Sequence, residues 1–366
     1  MSTEAFGLDE EQGYSKLIAS LLVFYLLQAL NLWYTAEMSS NLFETAAIKR
    51  ASDLHVVSGQ PAMLRIDGLL KPLGEKLSAK KVTELIQSFL SEPQEKRFLS
   101  EKDLDCSFVL SSGVRFRINC HIVCGEPAFA ARIIPSKIPS LQEIDMPEIV
   151  MDLARSRDGL LLFTGPTGSG KSTSLAAIAS KLLSESSFNV ITLEDPIEFQ
   201  LPAGKGLIQQ RELGADFPSF PEGLKHVLRQ DPDIVLVGEM RDLESIALAL
   251  TLAETGHLVL ATLHTPNAAQ TIDRIVDVFP PHQQSQVRLQ LSLSLRAVIA
   301  QRLLPRKGGG RIANREILVR TPAVSNIIRE NRLVELNSVL QTGGSDGMIS
   351  FEKDLKRLAK EGVVEE

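Results

Sequence analysis

The segment Gly165-Pro-Thr-Gly-Ser-Gly-Lys-Ser172 has the residue types and spacing for binding phosphate. It matches the pattern GxxxxGK[ST] between an apolar strand and a helix, a context that argues against a merely structural glycine turn. Glycines let backbone N–H groups surround the β-phosphate, Lys171 reaches the β/γ-oxygens and Ser172 ligates Mg²⁺. The pattern predicts a site for ATP and Mg²⁺ built from Gly165, Pro166, Thr167, Gly168, Ser169, Gly170, Lys171, Ser172 and Thr173.

Carboxylates follow two other apolar runs. Glu194 and Asp195 end the run Asn189–Leu193, and Glu239 follows the run Ile234–Val237. Gly238 stands where many enzymes with this loop carry a magnesium-binding Asp. We therefore assign Glu239 to polarising the attacking water and to holding Mg²⁺ through water, with Glu194 as the next catalytic candidate.

Two histidines flank the apolar run Leu258–Thr262. His264 leaves the run at its carboxyl end, which predicts a role in sensing the γ-phosphate, and His257 precedes it. A structural role is the alternative for both histidines.

The elements that position these residues alternate between strands and helices, as in an α/β fold with a parallel sheet covered on both sides. Strands are expected at Leu160–Thr164, Asn189–Leu193, Ile234–Val237 and Leu258–Thr262. Parallel sheets of this kind bind ligands at the carboxyl ends of their strands, where the candidate residues lie. From about Asn267 onward we expect helices.

The region before the loop has a different pattern. Residues 38–140 read as a smaller α+β domain, with short strands, a helix near Ser78–Leu90 and a hairpin turn at Ser111-Ser-Gly113. The segment Pro135–Ser140 has two prolines and no periodicity, which predicts a linker. Residues 141–366 then form the second domain.

Residues 1–37 form a hydrophobic N-terminal extension. Its uncharged run Leu17–Tyr34 leaves three interpretations open: an over-long start upstream of Met38, a helix packed on the protein or membrane surface, or a membrane span. Acidic residues precede the run, so a secretory signal peptide is disfavoured.

The bulk composition narrows the function. The chain has 366 residues with a net charge of -6, which argues against a general nucleic-acid binder. Three cysteines, Cys106, Cys120 and Cys124, disfavour a disulfide framework, and the Cys120/Cys124 pair lacks the second pair that a zinc site needs.

Successive segments together resemble the signatures of the type IV pilus twitching-motility (retraction) ATPases of the secretion ATPase superfamily. The segments are ASDLH from Ala51, RIDG from Arg65, GPTGSGKST, ITLEDPIEF, LRQDPDIVLVGEMRD and ETGHLVLATLHT. The resemblance covers nearly everything after Met38. It implies a PAS-like N-terminal domain, a RecA-like ATPase domain and a homohexameric ring. It also implies a cytoplasmic protein, peripheral at the inner membrane, that acts on an inner-membrane pilus platform protein.

Within that superfamily the resemblance favours the retraction branch, because no cysteine follows Cys124 to build the four-cysteine zinc element of assembly and secretion motors. Ala323–Glu330 resembles the AIRNLIRE motif of the branch, with Ser325 in place of Arg. The alternatives are an accessory PilU-like motor, which would work with a paralogous pilus ATPase, and a secretion or pilus assembly ATPase. From other classes, a nucleotide-sensing scaffold with weak hydrolysis and a RecA-like nucleic-acid motor also remain.

The resemblance also assigns a role to arginines of the N-terminal domain. Arg117 and Arg132 match positions whose arginines reach nucleotide in this superfamily, which implies that they act as arginine fingers, and Arg115 lies on the same strand as Arg117. Arg241 is the second candidate. Without the resemblance, each would be interpreted as a solvated or salt-bridged strand arginine.

Overall fold

The computed structural model describes residues 42–66, 68–134 and 137–365. They form two compact units that divide between residues 136 and 137, inside the segment interpreted as a linker. The N-terminal extension, with its run Leu17–Tyr34, lies outside the described residues. Within the described ranges, no helix combines the length and apolar character that crossing a bilayer requires.

Among its described residues, the first unit has an antiparallel sheet of six strands in the order β3-β2-β1-β6-β5-β4 and three helices. Its strands are β1 (Asp53–Val57), β2 (Pro61–Ile66), β3 (Leu69–Lys76), β4 (Asp103–Val109), β5 (Arg115–Val123) and β6 (Glu126–Ile134). Its helices are α1 (residues 42–48), α2 (Ala79–Phe89) and α3 (Glu92–Glu101).

One face of this sheet forms the core of the unit. The ring centroids of Phe43 in α1 and Phe116 in β5 lie 4.8 Å apart. The ring of Phe129 in β6 stacks against that of Phe43. Along β5, residues alternate between this core and the opposite face, so Phe116 is buried while Arg117 is exposed. The opposite face is therefore free to carry charge.

The second unit contains a sheet of seven strands in the order β13-β12-β7-β11-β10-β8-β9. The strands are β7 (Gly159–Thr164), β8 (Asn189–Glu194), β9 (Leu207–Glu212), β10 (Ile234–Val237), β11 (Leu258–Leu263), β12 (Leu295–Pro305) and β13 (Arg311–Val319). All neighbouring pairs are parallel except β12 and β13. Every residue of β7, β10 and β11 is buried, which confirms the prediction of a parallel sheet covered on both faces.

Helices surround this sheet. They are α4 (Glu148–Ala154), α5 (Lys171–Glu185), α6 (Phe220–Val227), α7 (Leu243–Glu254), α8 (Ala268–Asp277), α9 (Pro281–Ser294), α10 (Pro322–Arg329), α11 (Leu336–Thr342) and α12 (Phe351–Lys360), with short 3-10 helices at Leu333–Glu335 and Gly343–Asp346.

The expectation of helices throughout the region after Asn267 is wrong. Strands β12 and β13 form an antiparallel hairpin that extends the sheet next to β7. The sequence runs from α9 into β12 without a glycine or proline, and strands buried on both faces lack the alternation that distinguishes them from buried helices. Sequence reasoning also missed the edge strands β3 and β9 and the polar helix α3.

A buried arginine fixes the start of the second unit. Arg315 of β13 is 2% exposed, and its guanidinium donates to the main-chain oxygens of Ile144 and Asp145 at 2.9 and 2.8 Å. Arg357 of α12 donates to the Asp145 carboxylate at 2.6 Å. Burial lowers the pKa of Arg315 to about 10. The first loop of the unit is therefore held by the last strand and the last helix.

Candidate active site

The predicted phosphate-binding loop leaves β7 at Thr164 and enters α5 at Lys171. Gly165 has a φ of +137°, and a Cβ atom there would lie 2.1 Å from the main-chain oxygen of Gln301 on β12. Gly170, with a φ of +87°, is the residue before the first turn of α5. Both glycines are thus required by backbone conformation, and Gly165 also by the close approach of β12.

The loop offers several donors for a polyphosphate. Lys171 is 8% exposed, and its Nζ donates to the main-chain oxygens of Gly165 and Pro166 at 2.8 and 3.2 Å. Within the described part of the chain, the buried Ser169 Oγ has no hydrogen-bond partner. Ser172 and Thr173 lie half-buried in the first turn of α5, whose N-terminus carries positive partial charge. Lys171 Nζ donates to main-chain oxygens of the loop, and Ser169 Oγ has no partner among the described residues, so both groups can donate to phosphate oxygens.

Burial also tunes the loop lysine. It lowers the pKa of Lys171, whereas the charges of Glu239 and Glu198 act in the opposite direction. The negative charge of Glu239 thus favours the protonated form of the loop lysine.

The structure explains why glycine occupies the position before Glu239. The Gly238 N–H donates to the Leu193 oxygen of β8 at 2.7 Å. A Cβ atom at Gly238 would lie 3.0 Å from that oxygen and 3.2 Å from the Cα of Glu194. An aspartate at this position therefore requires the two strand ends to separate. Glu239, the next residue, supplies the carboxylate that follows this strand.

Glu239 is the centre of a small charged cluster. Its Oε2 lies 2.7 Å from Arg241 Nη2 and 3.2 Å from His264 Nε2. Burial opposes ionisation of Glu239, but the hydrogen bond from Arg241 and the charge of His264 outweigh it, so the pKa of this carboxyl is lowered. An ionised carboxylate that is oriented by two donors on one oxygen can accept a proton from water through the other.

Glu194 has a different environment. Its Oε1 accepts hydrogen bonds from Thr192 Oγ1 at 2.6 Å and Gln210 Nε2 at 3.0 Å. Burial raises the pKa of Glu194 in spite of these bonds. The adjacent Asp195 is exposed and is followed by a cis peptide bond to Pro196. The two acidic candidates, Glu194 and Glu239, thus differ in proton affinity.

His257 lies apart from this cluster. It precedes β11 at the amino end of the strand, whereas His264 follows the carboxyl end. The Nδ1 of His257 contacts the Leu252 oxygen at 3.1 Å and Thr255 Oγ1 at 3.2 Å. Its contacts are those of a residue that closes the turn after α7. The structure brings His264, and not His257, to Glu239.

The arginines predicted as fingers share the exposed face of the sheet in the first unit. Arg117 and Arg132 are paired directly across β5 and β6, and Asp53 of β1 is paired with Arg132. The Arg132 Nε donates to Asp53 Oδ1 at 2.8 Å, while Arg115 donates to Ser107 Oγ at 3.1 Å. Two like charges opposite each other destabilise a sheet, and the Asp53 carboxylate beside Arg132 offsets this repulsion.

Three contributors escaped the sequence analysis. Gln210 of β9 supports Glu194, Asp53 holds Arg132, and Gln301 of β12 contacts the phosphate-binding loop. Asp53 lies in the ASDLH segment, which supported the family resemblance but gave Asp53 itself no role. The glutamines are distant in sequence from the groups they contact, and no motif marked them.

Comparison with known proteins decides the family. Residues 32–345 match the family described as "Type II/IV secretion system protein". The chain belongs to this family. Among secretion system relatives, the "Type IV pilus retractation ATPase PilT" of Pseudomonas aeruginosa is 45% identical over 326 residues, which cover 89% of this chain and 95% of the relative. The "Type IV pilus ATPase PilU" of the same organism is 37% identical, with 86% and 83% covered.

A solved member of this secretion family has the same fold. The crystal structure of the pilus retraction motor PilT with bound ADP superimposes with a TM-score of 0.83 and 40% identity, and the match covers 89% of this chain and 94% of that one. The α/β fold and the family resemblance predicted from the sequence are thereby confirmed.

Proposed function

We propose that this chain is an ATP-hydrolysing motor that powers type IV pilus retraction and twitching motility. The observation that carries the proposal is the joint placement of a complete phosphate-binding loop and the Glu239 cluster at the carboxyl ends of three successive parallel strands of the sheet, β7, β11 and β10. The similarity to PilT over nearly the whole chain supplies the mechanical task.

The residues of the loop and of β10 divide the chemistry. Lys171 and the N-terminus of α5 bind the β- and γ-phosphates, and Glu239 accepts a proton from the attacking water as its oxygen bonds to the γ-phosphorus. The bond from that phosphorus to the bridging oxygen breaks, so ADP and phosphate leave. His264 orients Glu239 and responds to the γ-phosphate.

Mg²⁺ fits the donors of this site. Ser172 supplies a hydroxyl directly after the loop lysine, and Glu239 supplies a carboxylate that can bind through water, both hard oxygen ligands that suit this ion. The ion neutralises phosphate charge when bound. Gly238 has no side chain to offer the ion, so the carboxylate that follows this strand is that of Glu239.

A ring of six copies completes the site in this proposal. A head-to-tail interface that closes a ring places the nucleotide of one subunit beside a different surface of its neighbour. Arg117 and Arg132 then meet the γ-phosphate from outside the core that binds it. Arg241 lies beside Glu239 at 2.7 Å in the same chain and is the second candidate for this role.

The protein on which the motor acts is an inner-membrane pilus platform protein, and the motor lies at the cytoplasmic side of that membrane. An accessory, PilU-like role within the same machine is the second candidate, in which a paralogous pilus ATPase is the partner. Ser325 favours it: this serine replaces the arginine of the motif in α10 and instead donates to the Ser292 oxygen of α9 at 2.9 Å.

Two measurements test the proposal. Steady-state ATPase activity with and without DNA separates a motor of this kind from a nucleotide-sensing scaffold, which turns over little, and from a nucleic-acid motor, which DNA stimulates. Pilus retraction in a strain that lacks this gene then tests the task. Restoration by the parent gene and not by Glu239→Gln is expected, and normal retraction in the deletion strain contradicts the assignment.

A further inference from the structure

Gln301 of β12 makes a bridge between two parts of the nucleotide site. The residue is 1% exposed. Its side-chain Nε2 donates to the main-chain oxygen of Ser169 at 2.8 Å, and its Oε1 accepts from Ser174 Oγ of α5 at 3.1 Å. Both bonds are buried. One amide therefore ties the end of the phosphate-binding loop to the first turns of the following helix.

The backbone of β12 supports the same loop. A Cβ atom on Gly165 would lie 2.1 Å from the main-chain oxygen of Gln301, and one on Gly170 would lie 3.3 Å from the side-chain Nε2 of Gln301. The strand thus lies against the loop at its first and last glycines, while the tip at Pro166, Thr167 and Gly168 is exposed. The loop is fixed at its base by a strand that joins the sheet far later in the chain.

Holding the Ser169 oxygen also sets the direction of a donor. In a trans peptide, the C=O of one residue and the N–H of the next point in opposite directions. With the Ser169 oxygen directed at Gln301, the Gly170 N–H points away from the Gln301 amide. Gly170 immediately precedes Lys171, so this N–H belongs to the group of donors that surrounds phosphate.

We infer that Gln301 is a positioning residue for nucleotide binding, which acts by orienting the Ser169–Gly170 peptide toward the β-phosphate. The inference rests on the proposed function and adds a residue outside every motif of the site. Glutamine suits the task because its amide combines one donor and one acceptor on neighbouring atoms. Glutamate presents an acceptor to the Ser169 oxygen, and methionine fills the space without either hydrogen bond.

The test uses the full chain and compares the dissociation constants for ADP and AMP by titration calorimetry. The parent is expected to bind ADP more tightly than AMP, because only ADP carries a β-phosphate. Gln301→Met is expected to weaken ADP binding about tenfold and AMP binding little, because the Gly170 N–H is then no longer held in position to donate to the β-phosphate. Gln301→Glu is expected to weaken ADP binding further. General damage to the fold lowers both affinities together.

A milder variant and a matched control complete the design. Ser174→Ala removes one of the two bonds that hold the amide and is expected to weaken ADP binding about threefold. Asn314→Leu replaces a buried amide on the neighbouring strand β13 whose side-chain atoms have no hydrogen-bond partner among the described residues. This control is expected to bind both nucleotides as the parent does.

The outcomes separate the two claims. If the parent binds neither nucleotide, the proposed function fails and this inference falls with it. If the parent prefers ADP and both Gln301→Met and Ser174→Ala retain that preference in full, only the inference is overturned. Should Gln301→Met not fold, Ser174→Ala decides the question, since unchanged ADP affinity in that variant overturns the inference.

Discussion

Arg132 and Asp53 face each other across β6 and β1, with the arginine Nε 2.8 Å from the aspartate Oδ1. The Asp53 side chain is largely buried, whereas that of Arg132 is 73% exposed. Burial opposes ionisation of Asp53, but the hydrogen bonds from Arg132 and Ser52 and the nearby positive charge together outweigh it and lower the pKa of the carboxyl. An anchored arginine with an exposed head group has the form required to reach a phosphate on another subunit.

Alanine variants of Arg132 and Arg117 are expected to bind ATP nearly as the parent does and to hydrolyse it about 10³-fold more slowly. In the proposed role, each arginine meets the γ-phosphate only in the assembled ring, so its loss affects hydrolysis more than binding. Binding and steady-state turnover measured on the same rings check this. Arg97→Ala is the control, since Arg97 is exposed on α3 and pairs with Glu101. Parental turnover in a fully formed ring of either variant contradicts its assignment.

Lys171→Ala and Glu239→Gln are expected to fail differently. Loss of the ammonium weakens ATP binding about 100-fold, as for a charged hydrogen-bonding group. Glu239→Gln keeps binding and loses about 10²–10⁴-fold in turnover, because the amide cannot accept the proton. Lys181→Ala, on the exposed side of α5, and Glu244→Gln, on α7, are matched controls. If Glu239→Gln hydrolyses ATP at the parental rate, Glu194 becomes the base.

The glycines of the phosphate-binding loop provide a third comparison. Gly165→Ala is expected to destabilise the fold by about 3 kcal/mol or more, because the added Cβ meets the main chain of β12 and the φ is unfavourable. Gly168→Ala meets open space and is expected to cost only about 1 kcal/mol for its positive φ. Thermal unfolding without nucleotide measures both. Equal melting temperatures would show that β12 yields to the Cβ.

Glu194→Gln is expected to raise the melting temperature at neutral pH. The folded-state pKa of Glu194 lies above its ordinary value of 4.5. The free energy of unfolding therefore falls as pH rises from the ordinary pKa to the folded-state pKa, and it stays reduced at higher pH. Glutamine removes that loss and keeps an acceptor for Thr192. The gain should therefore be absent below about pH 4.5 and complete above the folded-state pKa.

Glu185→Gln is the counterpart with the opposite sign. The hydrogen bond from Arg155 lowers the pKa of Glu185, so its ionised form supports stability above its ordinary pKa and that support is lost as pH falls through the folded-state value. A small loss of stability at neutral pH is expected from this exposed pair. If Glu194→Gln lowers the melting temperature at neutral pH, as Glu185→Gln is expected to do, the result contradicts a raised pKa for Glu194.

Sequence reasoning located the loop, Glu239 and His264 because local patterns carry them: glycine spacing, a short apolar strand and the residue that ends it. It placed the boundaries of β10 as the structure has them. The same reasoning failed for β12, where Leu295–Pro305 has neither strand alternation nor a stop signal after α9.

The supporting contacts of the site could not be predicted from the sequence for a different reason. Gln301 meets Ser169 across 132 residues of chain, and Arg132 meets Asp53 across 79. Such pairings follow from strand order, which depends on how all the strands pack together. A polar residue within an apolar run was the one visible sign for Gln301, since burying an amide requires partners.

The arginine contacts around Asp145 have a consequence for how the chain is made. Arg315 and Arg357 follow Asp145 by 170 and 212 residues, so the loop at the start of the second unit receives its partners only after nearly the whole protein has been synthesised. Domains generally fold in order as the chain emerges from the ribosome. In this unit, the first segment to emerge is therefore among the last to be fixed in place.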